Sequence, residues 1–180
     1  MARISSWLRR RPLIVTAACV AVAATADHKF GRHGDDWSRY DHPTVAASAS
    51  SGGALRLDDG TLVHLLGVTD PSPAAAGWLA GQLSNRPVTL LLPTVGTRDP
   101  AGRLVAYAFS SDDLTCLNVA IVRDGMAYAD RRGTDAMAGA IDAAETEARR
   151  KRRGLWKGLR FEQMPPWRQA WLRSRMANRP

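Results

Sequence analysis

One apolar stretch constrains the fold more than any other part of the chain. Residues 62–68 are rich in Leu and Val, which is typical of a buried strand, and the run is too short to span a membrane. It ends in a Thr-Asp-Pro-Ser-Pro turn over residues 69–73, where Pro71 and Pro73 lack the N–H that a strand ladder needs. Strands that end in polar turns place side chains at the rim of a fold, where functional sites are common. We therefore expect a buried strand followed by a candidate site.

Alternating and apolar runs predict four more short strands, and helical spacing predicts four helices. An Asp-Gly step at Asp59-Gly60 indicates a hairpin turn between the first two strands. The predicted strands cover residues 54–57, 61–68, 88–92, 103–109 and 126–129, and the predicted helices cover 74–83, 118–123, 135–153 and 167–176. This pattern favours an α+β domain, a small five-stranded β-barrel of the OB type capped by about three helices.

Composition divides the 180 residues into four parts. Residues 1–26 have a basic start, an uncharged apolar run and an Ala-Thr-Ala cleavage pattern, which predicts an export signal peptide or an uncleaved N-terminal anchor. Residues 27–53 are polar and read as a flexible linker, and residues 54–157 form the folded domain. Residues 158–180 form a basic tail rich in Trp and Arg. The protein is therefore expected to be exported, to the periplasm or outside the cell.

The charge distribution indicates a class of partner, and the cysteine content excludes two classes of protein. Residues 149–180 contain eleven basic residues and one acidic residue, so this segment carries +10 and the rest of the chain −2 of the net charge of +8. Attraction to a polyanion is therefore expected at the C-terminal end. With two cysteines in the chain, a disulfide scaffold and a four-cysteine zinc site are excluded, and Cys116 is expected to be a small buried apolar residue.

Four segments, in order, resemble the staphylococcal nuclease (thermonuclease) family. Residues 63–72 read V-H-L-L-G-V-T-D-P-S, where the family has V-R-L-L-G-I-D-T-P-E. Residues 99–107 resemble its D-x-x-G-R-L-L-A-Y turn and strand, and residues 117–127 resemble V-N-x-x-L-V-x-x-G-L-A. Residues 144–156 resemble its A-E-x-x-A-R helix followed by G-L-W. The resemblance implies an OB barrel with helices packed around it.

Active members of this family use Ca²⁺ to cut phosphodiester bonds. The resemblance implies two Asp side chains as Ca²⁺ ligands, two Arg side chains on the phosphate and a Glu that activates water. This chain has His64 at the first Arg position, Thr69 at the loop Asp and Ser72 at the Glu. Arg103 matches a catalytic Arg, and Asp70 lies one place from the family's metal ligand. His64 is a candidate weak phosphate contact or general base.

Three functions remain open on this sequence. The first is an exported, catalytically impaired module that binds nucleic acid or another polyanion through Arg149, Arg150, Lys151, Arg152, Arg153, Trp167 and Trp171. The second is an active metal-dependent phosphodiesterase with a rearranged site that uses Asp70, Arg103 and His64. The third is an envelope or partner-binding module whose tail meets an anionic membrane surface. No small-molecule cofactor is expected, Ca²⁺ is expected only with nuclease activity, and the oligomeric state is open.

Overall fold

A computed structural model describes residues 44–45, 47–84, 86–93, 97–132 and 136–177. The predicted leader at 1–26 and most of the predicted linker lie outside the described residues. Within the described ranges, no helix is both long enough and apolar enough to cross a membrane.

The described ranges hold eight strands and four helices, joined by short turns. The strands are β1 (Thr44–Val45), β2 (Ala47–Ser50), β3 (Ala54–Leu57), β4 (Leu62–Leu65), β5 (Val68–Thr69), β6 (Val88–Leu91), β7 (Leu104–Ser110) and β8 (Tyr128–Ala129). The helices are α1 (Ala75–Leu83), α2 (Leu117–Arg123), α3 (Ala138–Arg150) and α4 (Pro166–Ala177). All four helices lie within about three residues of the predicted ones.

Six strands form one sheet in the order β1-β6-β7-β4-β3-β2. Only β4 and β7 run parallel, with Val63 opposite Leu104, and the other neighbours are antiparallel. Because residue 46 alone separates β1 from β2, the two ends of this order belong to one stretch of chain. When β1 and β2 are counted as one strand, five strands follow one another in a cyclic order. This is the OB-type architecture that the sequence predicts. The α+β fold class is confirmed.

Two predictions about the strands are wrong. The linker was expected to continue to residue 53, but Ala47–Ser50 pairs along its whole length with Ala54–Leu57. Its Ala and Ser residues do not predict a strand from the sequence. The hydrogen-bonded ladder with β3 holds β2 in place, because β2 has no large side chain to bury. The strand predicted at 126–129 does not join the barrel, because Tyr128–Ala129 pairs with Val68–Thr69 in a separate two-stranded ribbon.

The core lies inside the sheet and beneath the helices. Strand residues Leu55, Val63, Leu65, Leu90 and Leu104 are buried together with helix residues Leu79, Ile121 and Ile141. Cys116 is buried in the same cluster, as expected. The apolar alternation of the strands and the helical spacing of α1 and α3 therefore converge on one core.

One buried amide ties α2 to the barrel. Asn118 Nδ2 donates to the carbonyls of Leu66 at 2.9 Å and Ala106 at 3.1 Å, and its Oδ1 accepts from the N–H of Ala108 at 2.9 Å. A fully buried amide is tolerated only when its groups are paired in this way. These bonds fix the chain where β4 ends and therefore fix the start of the loop that carries the candidate site.

The C-terminal helix is part of the domain and not a separate tail, which corrects the boundary expected at residue 158. Arg168 of α4 and Glu145 of α3 are both buried, and Arg168 Nη2 lies 2.8 Å from Glu145 Oε2. Arg131 Nη2 reaches the same oxygen at 2.8 Å. The ring of Tyr128 packs edge-on against Trp156 and Trp167, with centroids 5.2 and 6.3 Å apart. Buried charge and aromatic packing together hold α4 on the domain.

Replacing Glu145 with Gln should strongly destabilise the fold and loosen α4. The change leaves two guanidinium groups without their shared carboxylate, and breaking one side of a buried ion pair costs about 3–5 kcal/mol. Urea unfolding measures this loss, and limited proteolysis of α4 reports the loosening. The matched control is Glu147→Gln on the same helix, which removes a half-exposed pair with Lys151 and should cost no more than about 1 kcal/mol. Equal effects of the two changes would contradict the role given to Glu145.

The backbone of Gly125 lies in close contact with the backbone of Arg153 and Gly154. A Cβ on Gly125 would lie 2.2 Å from the carbonyl oxygen of Arg153, and its φ of +73° is left-handed. Gly125→Ala should therefore cost about 2–5 kcal/mol, from backbone strain plus overlap with a carbonyl that cannot move aside. Gly77→Ala on an exposed, open face of α1 is the control and should instead stabilise by about 0.5–1 kcal/mol. Thermal unfolding followed by circular dichroism measures both, and a neutral Gly125→Ala would contradict the close approach.

Candidate functional site

A pocket of about 450 Å³ opens at the rim of the barrel, where three connections meet. These are the loop around β5, the turn before β7 and the residues that follow β8. We call it the rim pocket, and its lining residues are Gly52, His64, Leu66, Gly67, Thr69, Asp70, Pro71, Asp99, Pro100, Arg103, Asp130 and Arg132. The structure thus brings together the three sequence candidates His64, Asp70 and Arg103.

Arg103 is held by the turn that carries it. Asp99 Oδ1 accepts the backbone N–H groups of Ala101 and Arg103 at 2.9 Å, and Asp99 Oδ2 accepts from Arg103 Nε at 2.6 Å. Burial raises the pKa of Asp99, but the hydrogen bonds from Arg103 outweigh burial and hold that pKa below its usual value. Asp99 is therefore an ionised partner that orients Arg103 and offsets its charge.

A second arginine–aspartate pair lines the rim pocket, and the sequence interpretation did not include it. Asp130 Oδ1 accepts from Arg132 Nε at 2.8 Å, and Asp130 Oδ2 accepts from Arg132 Nη2 at 2.6 Å. The side-chain hydrogen bond from Arg132 is the main cause that lowers the pKa of Asp130. Both residues follow β8 directly, and the pairing of β8 with β5 brings them to the pocket. An Asp-x-Arg step after a short strand was the available sequence signal.

His64 lies on β4 between these two pairs and is half-buried. Burial is the largest cause that lowers its pKa, followed by the positive charge of Arg103, while Asp99 and Asp130 act in the opposite direction. The imidazole is therefore neutral at neutral pH. A neutral ring offers one donor and one acceptor, in contrast to the charged fork of an arginine at the same position.

Asp70, the candidate metal ligand, is bound to the C-terminal helix instead. Its Oδ2 accepts from the indole Nε1 of Trp167 at 2.5 Å and from Thr69 Oγ1 at 3.3 Å. Asp70 has a left-handed φ of 43°, which fixes its side chain at this turn. Ser72 is absent from the pocket lining, and its N–H donates to the carbonyl of Met126. The helix α4 therefore reaches the edge of the rim pocket through Trp167.

The carboxylates of the rim pocket do not fit the Ca²⁺ site that the resemblance implies. Ca²⁺ takes six to eight oxygen ligands, several of them carboxylate oxygens. In this pocket Asp99 and Asp130 are paired with arginines, and Asp70 accepts the Trp167 indole. Among the residues that the structure describes, no group of three His, Cys, Asp or Glu side chains is arranged to hold a metal ion.

The basic run at 149–153 does not form a single surface. Arg149 lines a groove with Trp171, whereas Arg150 and Arg152 are exposed outside it. Lys151 Nζ lies 2.7 Å from Glu147, and Arg153 lies 3.3 Å from the same carboxylate. Trp167 lies at the rim pocket and Trp171 in the groove, so the predicted binding residues divide between two places.

The burial of His64 and the charge of Arg103 predict a lowered pKa for its imidazole, which can be measured. Its folded-state pKa is expected below 6.5, so protonation favours the unfolded chain and stability falls as the pH drops below about 6.5. Arg103→Ala should raise this pKa, because the change removes a positive charge and leaves Asp99 unpaired. Histidine proton shifts in an NMR titration measure both values, with Arg56→Ala, an exposed strand residue, as the control. A wild-type pKa above 6.5 would contradict the burial of the ring.

Comparison with known proteins agrees with this architecture. A family model described as Staphylococcal nuclease homologue matches residues 72–158. The match begins after β5, ends just beyond Trp156, and includes Arg103, Asp130 and Arg132. No curated protein matches the chain. The cyclic strand order and this match together confirm the resemblance seen in the sequence, and residues 72–158 are similar to the staphylococcal nuclease homologue family.

Proposed function

We propose that the protein is a nuclease-related module that binds nucleic acid without cleaving it. The observation that carries this proposal is the state of the rim-pocket carboxylates, each of which accepts a hydrogen bond from a side chain of the protein. Hydrolysis by this family's chemistry needs carboxylate oxygens for Ca²⁺ and for the attacking water. In this chain Thr69 and Ser72 replace two of those carboxylates, and hydrogen bonds occupy the ones that remain.

The charge balance supports binding away from the rim pocket. Arg103 and Arg132 are each matched by an aspartate, Asp70 adds a further negative charge and His64 is neutral, so the pocket has no excess of positive charge. The excess lies in residues 149–180, which carry +10. Phosphate neutralisation by arginine and lysine supplies most of the affinity for nucleic acid that does not depend on base sequence. The C-terminal helices are therefore the binding surface of the proposed module.

The proposal also includes export, which the leader-like composition of residues 1–26 supports. Mass spectrometry of the protein recovered from outside the cytoplasm tests this part. A mature chain that begins near Asp27 is expected, and a full-length chain found only in the cytoplasm would contradict it.

Cleavage and binding are tested in one experiment on the full chain. The protein is incubated with single-stranded and duplex DNA and with RNA, first with Ca²⁺ and then with EDTA. We expect intact nucleic acid in both cases, together with fluorescence-anisotropy binding that weakens as salt rises, because bound counterions are released on association. An active staphylococcal nuclease is the positive control for cleavage.

Two outcomes would contradict this proposal. Cleavage that EDTA abolishes and that Arg103→Ala eliminates would show a metal-dependent phosphodiesterase with a rearranged site. Failure of the wild-type chain to bind any of the nucleic acids at low salt would show that the module acts on another class of partner.

A further inference from the structure

A groove between α3 and α4 concentrates arginine side chains around one tryptophan. It has a volume of about 830 Å³, and its lining residues are Arg131, Thr146, Arg149, Trp171, Leu172, Arg175 and Met176. Three of these seven residues are arginines and none is acidic. We call it the arginine groove.

The ring of Trp171 is a platform for guanidinium groups. The guanidinium carbons of Arg131, Arg168 and Arg175 lie 4.7, 4.9 and 5.0 Å from its ring centroid. Arginines at this distance are attracted to the ring quadrupole, and the contact restricts their side-chain motion. Positive charge at the groove is thus held in place before a ligand arrives. A ring surrounded by guanidinium groups also has little free face on which a base can stack.

The carboxylates beside the groove balance only part of this charge. Arg131 and Arg168 share Glu145, and Arg131 Nε also lies 3.0 Å from Asp142 Oδ1. Among the described residues, neither Arg149 nor Arg175 has an ion-pair partner, and both side chains are exposed. Two positive charges therefore remain without a counter-ion of the protein's own.

Positive charge is crowded around Arg168. Burial lowers its pKa most, Glu145 opposes that effect, and the positive charges of Arg131 and Arg149 lower the pKa further. Because the guanidinium groups repel one another at this distance, an anion bound in the groove would relieve the repulsion.

We propose that the arginine groove binds the phosphate groups of a nucleic-acid strand, with Arg149 and Arg175 contacting the phosphates. Trp171 orders the arginines and does not stack on bases, so binding is independent of base identity. This inference rests on the proposed function and names the site that performs it. It assigns Arg149 from the basic run at 149–153 and adds Arg131 and Arg175, which the sequence interpretation did not select.

The exposed surface favours a nucleic-acid strand over a membrane. Amphipathic elements that bind anionic bilayers insert large apolar side chains beside their basic residues. In the described part of the chain, the large exposed apolar side chains are Leu114 and Met176, and only Met176 lines the groove. Phosphates linked along one strand match neighbouring guanidinium groups without any insertion.

The test compares two double variants of the full chain that lose the same charge. Arg149→Ala/Arg175→Ala removes the two groove arginines that have no ion-pair partner among the described residues. Arg150→Ala/Arg152→Ala removes two exposed arginines that follow Arg149 in the sequence and lie outside the groove. Binding of labelled oligothymidylate is measured by fluorescence anisotropy over a salt series. We expect the groove variant to bind about tenfold or more weakly and to reduce the salt slope by roughly 1.4, at about 0.7 per phosphate contact. The control variant should change affinity less than about threefold.

Each further outcome bears on one part of the inference. Equal losses in the two variants would overturn the groove as the site while leaving nucleic-acid binding intact. Absence of binding by the wild-type chain would instead overturn the proposed function. Circular dichroism spectra and thermal unfolding curves are recorded for both variants and for the wild type. Agreement among them shows that neither change unfolds α4.

A separate binding measurement tests whether affinity is independent of the bases. An abasic oligonucleotide of the same length should bind the wild-type chain within about twofold of oligothymidylate, since the phosphates are unchanged. A loss of tenfold or more would assign Trp171 to base stacking and overturn its role as a platform. Phosphatidylglycerol vesicles serve as the competing anionic surface, and binding to vesicles but not to oligonucleotides would overturn the inference in favour of a membrane.

Discussion

One buried carboxylate, that of Glu145, joins helix α4 to helix α3 and to the segment after β8. It accepts hydrogen bonds from Arg131, which follows β8, and from Arg168 on α4. Charges removed from water are tolerated only when they are paired and hydrogen bonded, so Glu145 and Arg168 are stable in the interior only when they are together. The ion pair holds α4 against α3. Helix α4 then places Trp167 against Asp70 and Trp171 in the arginine groove.

The same helix therefore has opposite effects on two surfaces. At the rim pocket it adds an indole donor that occupies Asp70, the one described carboxylate there that is not paired with an arginine of the pocket. At the arginine groove it adds Arg175 and the aromatic ring that orders its neighbours. In the rim pocket each arginine is paired with an aspartate and Asp70 adds a further negative charge, whereas positive charge is concentrated at the C-terminal end of the chain. This distribution is the physical basis for the proposal that the module binds phosphates and does not hydrolyse them.

The sequence predicted those features that depend on local patterning. The buried run of β4, the helical stripes of α1 and α3 and the family motifs were sufficient for the fold. Strands β1 and β2 were missed because β1 has only two residues and the Ala and Ser residues of β2 carry little strand propensity. Their pairing with β6 and β3 depends on tertiary structure. Arg132 and Arg175 join their surfaces through packing between segments far apart in the chain. Glu145 could have been found, since it follows Ile141 by four residues on the apolar face of α3.

The cyclic strand order has a consequence for the speed of folding. β1 pairs with β6 and β4 pairs with β7, so the barrel joins residues that are far apart in the chain. Contacts of this kind require large loops to close before any pairing energy is gained, and proteins with such topology fold slowly. During synthesis the strands leave the ribosome before α4, so the barrel can form first and present Glu145 and Trp156 as the surface on which the last helix docks.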